Sequence, residues 1–288
     1  MKQLVAVISY DAGGAEILKY WVQENKYKYD FIYSLGGPAL KIFKNKYKFR
    51  NTNLEESIKK CDWTITGSGV SNHEYLGIKY SKNNRKFVVT FLDHWINYKS
   101  RFIRGNIIQY PDEIWVGDKL ALREAKKNFK NKVTVKLKKN PYFSFVKKKA
   151  SKYIKINRNK KIKILFVSSN IDSVKNIFDK KIHSDKKIFN SFMKNINFLF
   201  NNKNINLITL RLHPTENLTK YKHLKNKILI DKNTNLLDTI FKYTHIIGYE
   251  SMALVVAKLC NKKTFNIDLG MKDFQKIPDK YIDKKIIL

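Results

Sequence analysis

"LVAVISY" (residues 4–10), "DAGG" (11–14) and "AEILKYWVQEN" (15–25) follow one another without a break. A short β-rich run, a small polar turn and an amphipathic helix make one βα step. The step recurs. "YDFIYSL" (29–35) passes through "GGP" into "ALKIFKN", "DWTITGSG" (62–69) into "VSNHEYLGIKYSK", and "KFVVTFLD" (86–93) into "HWINYKSRF". "DEIWVGD" (112–118) leads to "KLALREAKKNF", and "KVTVKL" (132–137) to "KKNPYF". Strands alternating with helices imply a mostly parallel sheet with helices on both faces.

Around residues 147 to 162 the pattern stops. "KKKASKYIKINRNKK" is charged and without apolar periodicity, which reads as an interdomain crossing. It then resumes through "IKILFVSSN", the helix-like "KKIFNSFMKNINFLFNN", "INLITLRLHP", "ILIDK", "LLDTIFKYT", "HIIGYE", "SMALVVAKLCN" and "KTFNID". The expected architecture is α/β: two tandem Rossmann-like domains, residues 1–148 and 160–288, whose parallel sheets face a cleft at their carboxyl ends.

Composition narrows the function classes. The chain has 288 residues, 43% of them hydrophobic, with 18 Phe and 16 Tyr, enough for buried cores. Lys and Arg number 58 against 24 Asp and Glu, a formal net charge of +34. That excess attracts polyanions such as nucleic acid, anionic lipid headgroups or phosphorylated substrates. The lysines are spread along the whole chain, as a global bias toward Lys, Asn and Ile would spread them. A nucleic-acid binder would concentrate them in a stripe or tail, so no nucleic-acid partner is expected. Cys61 and Cys260 are far apart and lack a CxxC partner, which argues against a disulfide framework or zinc site and fits a reducing cytoplasm. No stretch reaches the length of a membrane span. There is no HExxH and no Asp-x-Asp, so neither a metal nor a cofactor is expected.

The chemistry-bearing residues gather at strand ends. In the second half, "THIIGYESMALVVAKL" (244–259) is a strand, a turn at Gly248 and a helix apolar on almost every side. Glu250 and Ser251 open that helix, either as an anion site of backbone N–H groups and hydroxyl or as a plain serine cap. "RLHPTEN" (211–217) adds Arg211, His213 and Pro214, with His213 a loop histidine or a phosphate ligand and proton donor. "VSSN" adds the Ser168 and Ser169 hydroxyls to the same rim.

In the first half, Asp11 stands at the end of the first strand, as a general base or as a helix cap. Gly13 and Gly14 let a ligand near the backbone. The loop is not GxGxxG, so no dinucleotide fingerprint is met. "TFLDHWINYKSRF" (90–102) crowds Asp93, His94, Trp95, Asn97 and Arg101 at one junction, a mixture of ring and polar groups suited to a sugar, with Trp95 alternatively core and Asp93 a helix cap. Gly67 and Ser68 offer a second small-residue loop. His73 and Glu74 read as solvated polar residues, and His183, His223 and His245 as surface or core.

"RLHPTE" followed by "GYESMAL" resembles the His-Pro and serine motifs of GT-B glycosyltransferases of the bacterial sialyltransferase, Kdo and polysialic acid transferase group. His213 and Pro214 match the first motif and Ser251 the second, where a single serine is present. "YDAGG" approximates that group's acidic motif, with Ala12 in place of an acidic residue or glycine. The resemblance implies that His213 and Ser251 contact a CMP phosphate and that Asp11 is the base, with Asp93 or His94 as substitutes. "KNPYF" (139–143) resembles the Asn-Pro turn of nucleotide-sugar 2-epimerases, and CDP-glycerol polymer transferases share the layout. The expectation is an inverting, metal-independent glycosyltransferase that moves a sugar, such as a nonulosonic acid, from a CMP-linked nucleotide-sugar donor to a glycan or lipid-linked acceptor. It would be cytoplasmic, or peripheral on the inner membrane face against anionic lipid. The rivals are a nucleotide-sugar 2-epimerase or hydrolase and a basic nucleic-acid-binding protein.

Overall fold

The computed structural model describes residues 1–69, 71–95, 97–153, 161–172, 184–201, 203–213, 216–224, 228–233, 235–268 and 277–287. The chain divides into two compact units, Met1–Phe145 and Val146–Leu288.

In the first unit, β1 (Gln3–Ser9), β2 (Tyr29–Leu35), β3 (Trp63–Thr66), β4 (Phe87–Leu92), β7 (Glu113–Val116) and β8 (Thr134–Leu137) form one sheet in the order β2-β1-β3-β4-β7-β8. Every pairing in it is parallel. The crossovers are α1 (Ala12–Asn25), α2 (Gly37–Lys44), α3 (Leu54–Lys60), α4 (Asn72–Asn83) and α5 (Lys119–Phe129). Val5, Ala6, Val7 and Ile8 have no exposed surface, because a parallel strand under helices on both faces has no solvent side. α1 lays Leu18, Trp21 and Val22 on this sheet, and the Trp21 ring meets Phe31 and Trp63 edge-on.

The second unit repeats the plan. β9 (Ile162–Val167), β10 (Ile205–Arg211), β11 (Leu229–Ile230), β12 (His245–Gly248), β13 (Lys263–Asp268) and β14 (Lys284–Ile287) form a sheet in the order β11-β10-β9-β12-β13-β14. Its pairings are parallel as well. The helices are α7 (Asp185–Leu199), α8 (Leu236–Ile240) and α9 (Met252–Leu259). Phe166, Phe189, Phe192 and Tyr221 pack at the centre of its core. The winding direction reverses between β9 and β12 here, and between β1 and β3 in the first unit. Such reversals are where open α/β sheets leave a crevice at their carboxyl edge.

Three local expectations change. "HWINYKSRF" is not an α-helix: Asn97 takes a left-handed φ of 57°, which breaks helical propagation. The chain instead makes a single turn at Ser100–Phe102 and an antiparallel hairpin of β5 (Ile103–Arg104) and β6 (Ile107–Ile108). The charged run after residue 147 starts as helix: α6 (Pro141–Tyr153) continues because Val146 and Ala150 are buried and Tyr153 stacks on Phe241 at 4.0 Å. That spacing of four and three is helical, hidden among lysines. α3 and β14 lie where the sequence pattern showed no element. His183 falls outside the described residues.

Gly248 closes β12 against β9, where an added Cβ would sit 2.7 Å from the Val167 carbonyl oxygen. Backbone cannot yield as a flexible side chain would. Gly248→Ala is therefore expected to cost about 2 kcal/mol or more in urea unfolding, whereas an unchanged midpoint would place the two strands further apart than described.

Candidate functional site

In the first unit the carboxyl ends of β1, β3 and β4 bring Asp11, Gly13, Gly14, Gly67, Ser68, Asp93, His94 and Arg101 together. The glycines serve close packing: a Cβ on Gly14 would come within 2.9 Å of Gly67 Cα and Ser68 N, and one on Gly13 would overlap Asp93 Oδ2. The approach they permit is between the start of α1 and the β3 and β4 loops, rather than the expected approach of a ligand.

Asp93 is the hub. Its Oδ1 accepts from Ser68 Oγ at 2.7 Å and pairs with Arg101 Nη1 at 3.1 Å, while His94 Nε2 lies 3.7 Å from Oδ2. Arg101 also donates to the Ser68 carbonyl at 3.0 Å. Burial works to raise the Asp93 pKa, but His94, Arg101 and Ser68 outweigh it and hold the carboxyl below its usual value. A carboxylate so held is a weak base. Asp11 is partly exposed, precedes α1, and makes no side-chain cap bond to that helix.

Glu74, expected to be solvated, is 3% exposed and accepts the backbone N–H of Tyr10 at 2.6 Å and of Asp11 at 3.3 Å. Its place on the buried face of α4 beside Tyr75 and Ile78 was the available signal. His73 Nε2 lies 2.9 Å from the Ser34 carbonyl. Of its two readings Trp95 takes the core one: it is 8% exposed and donates through Nε1 to Asp118 at 3.1 Å. Asn97 is exposed at its turn.

In the second unit β10, β9 and β12 are neighbours, with Arg211 and Gly248 both in register with Val167. The loops carrying Ser168–Ser169, His213 and Glu250–Ser251 therefore start from one level. Most of their polar groups already have protein partners. Ser168 Oγ donates to Asp185 at 3.1 Å, and Ser169 Oγ to the Tyr249 carbonyl at 2.6 Å. Arg211 pairs with Asp231 and donates to the Asn233 carbonyl at 2.8 Å, tying β10 to the segment before α8. Glu250 has a left-handed φ of 45° and accepts from Asn266 Nδ2 at 2.6 Å and Ile277 N at 2.9 Å. Ser251 caps α9 by accepting from Ala253 N at 3.3 Å. These contacts engage the Ser168, Ser169, Arg211 and Glu250 side chains within the protein, so each would meet a donor only through its remaining hydrogen-bonding capacity. Pro214 lies outside the described residues.

His213 is held by a network that the sequence reading missed. Its N–H donates to Glu216 Oε2 at 3.0 Å, and Glu216 N donates back to the His213 carbonyl at 2.9 Å. Glu216 and Asp185 have no exposed side-chain surface, and Lys220 Nζ stands between them at 3.0 and 3.2 Å, with Asp172 at 2.9 Å. Burial opposes the Lys220 charge, yet these carboxylates raise its pKa above the ordinary value. Burial, joined by the neighbouring Glu216, pushes Asp185 up. Burial lowers the His213 pKa against the pull of Glu216 and Asp185, so its imidazole is neutral near pH 7. The Glu at the third position after His213 in "RLHPTEN" was the visible trace of this network. Among the described residues, no group of three or more His, Cys, Asp or Glu could hold a metal ion.

No protein-family model matches the chain, and no curated protein matches it in sequence. Solved structures do match in fold. The UDP-GlcNAc 2-epimerase of Methanocaldococcus jannaschii is 11% identical and covers 99% of this chain and 88% of its own, with a TM-score of 0.64. The S. aureus MnaA–UDP complex is 13% identical over 92% of this chain and 79% of its own, at 0.62. The wall teichoic acid polymerase TagF is 11% identical over 99% and 76%, at 0.56. At such identities the likeness is one of fold: α/β with two parallel six-stranded sheets, of the GT-B kind.

Two outcomes follow from the networks. Glu74→Ala leaves two backbone amides of the β1 loop without their acceptor and is expected to cost about 2 kcal/mol in denaturant unfolding. His213 has a folded pKa below its unfolded value, so it adds no penalty above about pH 6.5 and destabilises as pH falls through that value. The melting temperature of the native chain should therefore drop more steeply from about pH 7 to about pH 5 than that of His213→Gln, and parallel curves would remove His213 as the cause.

Proposed function

We propose that the chain is a nucleotide-sugar enzyme, and specifically an inverting glycosyltransferase that passes a sugar from a nucleotide-linked donor to a glycan or lipid-linked acceptor. The donor phosphate binds at the carboxyl edge of the second unit and the acceptor hydroxyl at that of the first. The observation that carries this reading is His213. It stands just beyond β10, one strand from the winding reversal, neutral by burial and fixed by Glu216 through its own backbone. A neutral imidazole on a backbone fixed in this way can donate a hydrogen bond to the departing phosphate as charge develops and so stabilise it.

In the first unit Asp11 takes the acceptor proton. Asp93, Arg101 and Ser68 brace the loop beside it and are themselves engaged. The α9 N-terminus, with its first turn capped by Ser251, supplies further backbone N–H groups at the donor edge. The likeness to a protein solved with UDP supports a UDP-linked donor, while the His-Pro and serine motifs support a CMP-linked one. The fold likeness to UDP-GlcNAc 2-epimerases favours a second reading, in which a UDP-sugar is converted with no acceptor present.

Thermal shift against CMP, CDP, UDP and GDP is the first test. Stabilisation by CMP upholds a CMP-linked donor, UDP alone moves the reading to UDP-sugars, and no response to any of the four removes it. With the responding donor supplied alone, an epimerised or hydrolysed product in place of intact donor selects the second reading. His213→Ala is expected to lower turnover at least about tenfold while the melting profile survives, and full activity in that variant would rule out the phosphate role.

A further inference from the structure

Trp95 is core, so a sugar at the carboxyl edge of the first unit needs another ring to rest on. Among the described residues of that unit the exposed aromatics are Tyr10, Tyr27 and Phe87. Tyr27 precedes β2 and Phe87 opens β4, both at amino ends, whereas Tyr10 directly follows β1 and precedes Asp11. Tyr10 is 39% exposed.

This tyrosine is fixed in place. Its N–H donates to the buried Glu74 carboxylate at 2.6 Å, and its carbonyl accepts from Ala39 N at 3.0 Å. The ring rests on Gly36 and Gly37, where an added Cβ would come within 2.7 Å of ring carbons, and Gly37 has a left-handed φ of 44°. A ring held before its ligand arrives loses little side-chain freedom on stacking. Tyr10 thus packs on the loop after β2, while Asp11 lies against Gly69 in the loop after β3.

On the β2 side a cavity of about 520 Å³ continues the edge. It adjoins Tyr10 through His73, whose ring centre lies 6.3 Å from that of Tyr10, and through Leu35, which leads into Gly36. Asn53, Glu55 and Tyr80 supply amide, carboxylate and phenol groups to it, with Leu76 among them. Charge narrows the ligand. Lys and Arg make up 58 of the 288 residues, yet none is among the described residues that line this cavity, and Glu55 is. A phosphate or anionic headgroup would meet a carboxylate there and no cation. A neutral saccharide has apolar C–H faces for the Tyr10 ring and hydroxyls for Asn53 and Glu55.

We propose that Tyr10 and this cavity form the acceptor subsite, for a neutral saccharide of two or more sugars that runs from Asp11 over the Tyr10 ring into the cavity. Its part in the reaction rests on the reading of Asp11 as the acceptor base; saccharide binding itself does not.

The test is an array of neutral and anionic mono- and oligosaccharides, probed with the fluorescently labelled full chain at about 0.15 M salt to screen the basic surface. Native protein should bind neutral saccharides of two or more sugars. Tyr10→Ala should bind them at least about tenfold more weakly, and Tyr10→Phe, which keeps the ring face, should bind as native protein does. Equal binding by native and Tyr10→Ala protein would overturn the subsite, as would binding confined to anionic glycans or no binding by native protein. A loss in Tyr10→Phe as deep as in Tyr10→Ala would refute stacking. Glu55→Lys, at an exposed position, gives a second measurement: neutral oligosaccharide signals should fall at least about fivefold, and unchanged signals remove the cavity from the subsite. Nucleotide thermal shifts on native protein separate the two ideas. Tyr10-dependent saccharide binding without any nucleotide response leaves the subsite standing while the enzymatic reading falls, and a nucleotide response without Tyr10-dependent binding does the reverse.

Discussion

Val5 to Ile8 of β1 and Ile164 and Leu165 of β9 have no exposed surface, and this two-sided burial governs each unit. Parallel neighbours cannot be joined by a tight hairpin, so each crossover returns to the same starting edge, in most cases through a helix. Every loop that follows a strand is thereby delivered to one edge. The polar residues of those loops arrive together in a place too buried to leave them unbonded, and the chain itself satisfies most of them. Ser168, Ser169, Arg211 and Glu250 are consumed in this way.

Carboxylates do much of this organising. The chain has 24 of them against 58 basic side chains, yet several are spent at buried or half-buried loop ends. Glu74 holds the amides of the β1 loop, Asp93 gathers Ser68 and Arg101, Glu216 grips the backbone of His213, and Glu250 ties β12 to β13 and to Ile277. A buried acid that accepts from main-chain N–H groups fixes a loop without needing a matching cation. The Lys220 cluster differs, since one ammonium serves three carboxylates and its ion pairs must offset the burial of every member.

The βα rhythm was legible because parallel strands such as "LVAVIS" and "IKILFV" read as unbroken apolar runs, a pattern that surface lysines do not disturb. Strand order followed from no residue pattern, and the winding reversals that locate the two edges came from the structure alone. At the edges, "RLHPTEN" and "GYESMAL" marked the correct loops but not the partners of their side chains. Whether Ser169 faces a ligand or the Tyr249 carbonyl depends on a contact 80 residues away, to which local sequence is blind. Trp95, open to a sugar or a core reading, is core, whereas Glu74 misled because a carboxylate in a polar helix start was buried.

Pairing in the second sheet also constrains how the chain folds. β9 receives β12 from far along the sequence, with Lys163 N donating to Thr244 Oγ1 across 81 positions. β1 and β2, by contrast, pair within the first 35 residues. Closing a long loop before any contact rewards it slows folding. β1 and β2 therefore pair early, whereas β9 can pair first with β10 at Ile205–Arg211 but keeps its other edge open until β12 at His245–Gly248 has been made. In that interval the β12-facing edge of β9 is unpaired and open to association with other chains.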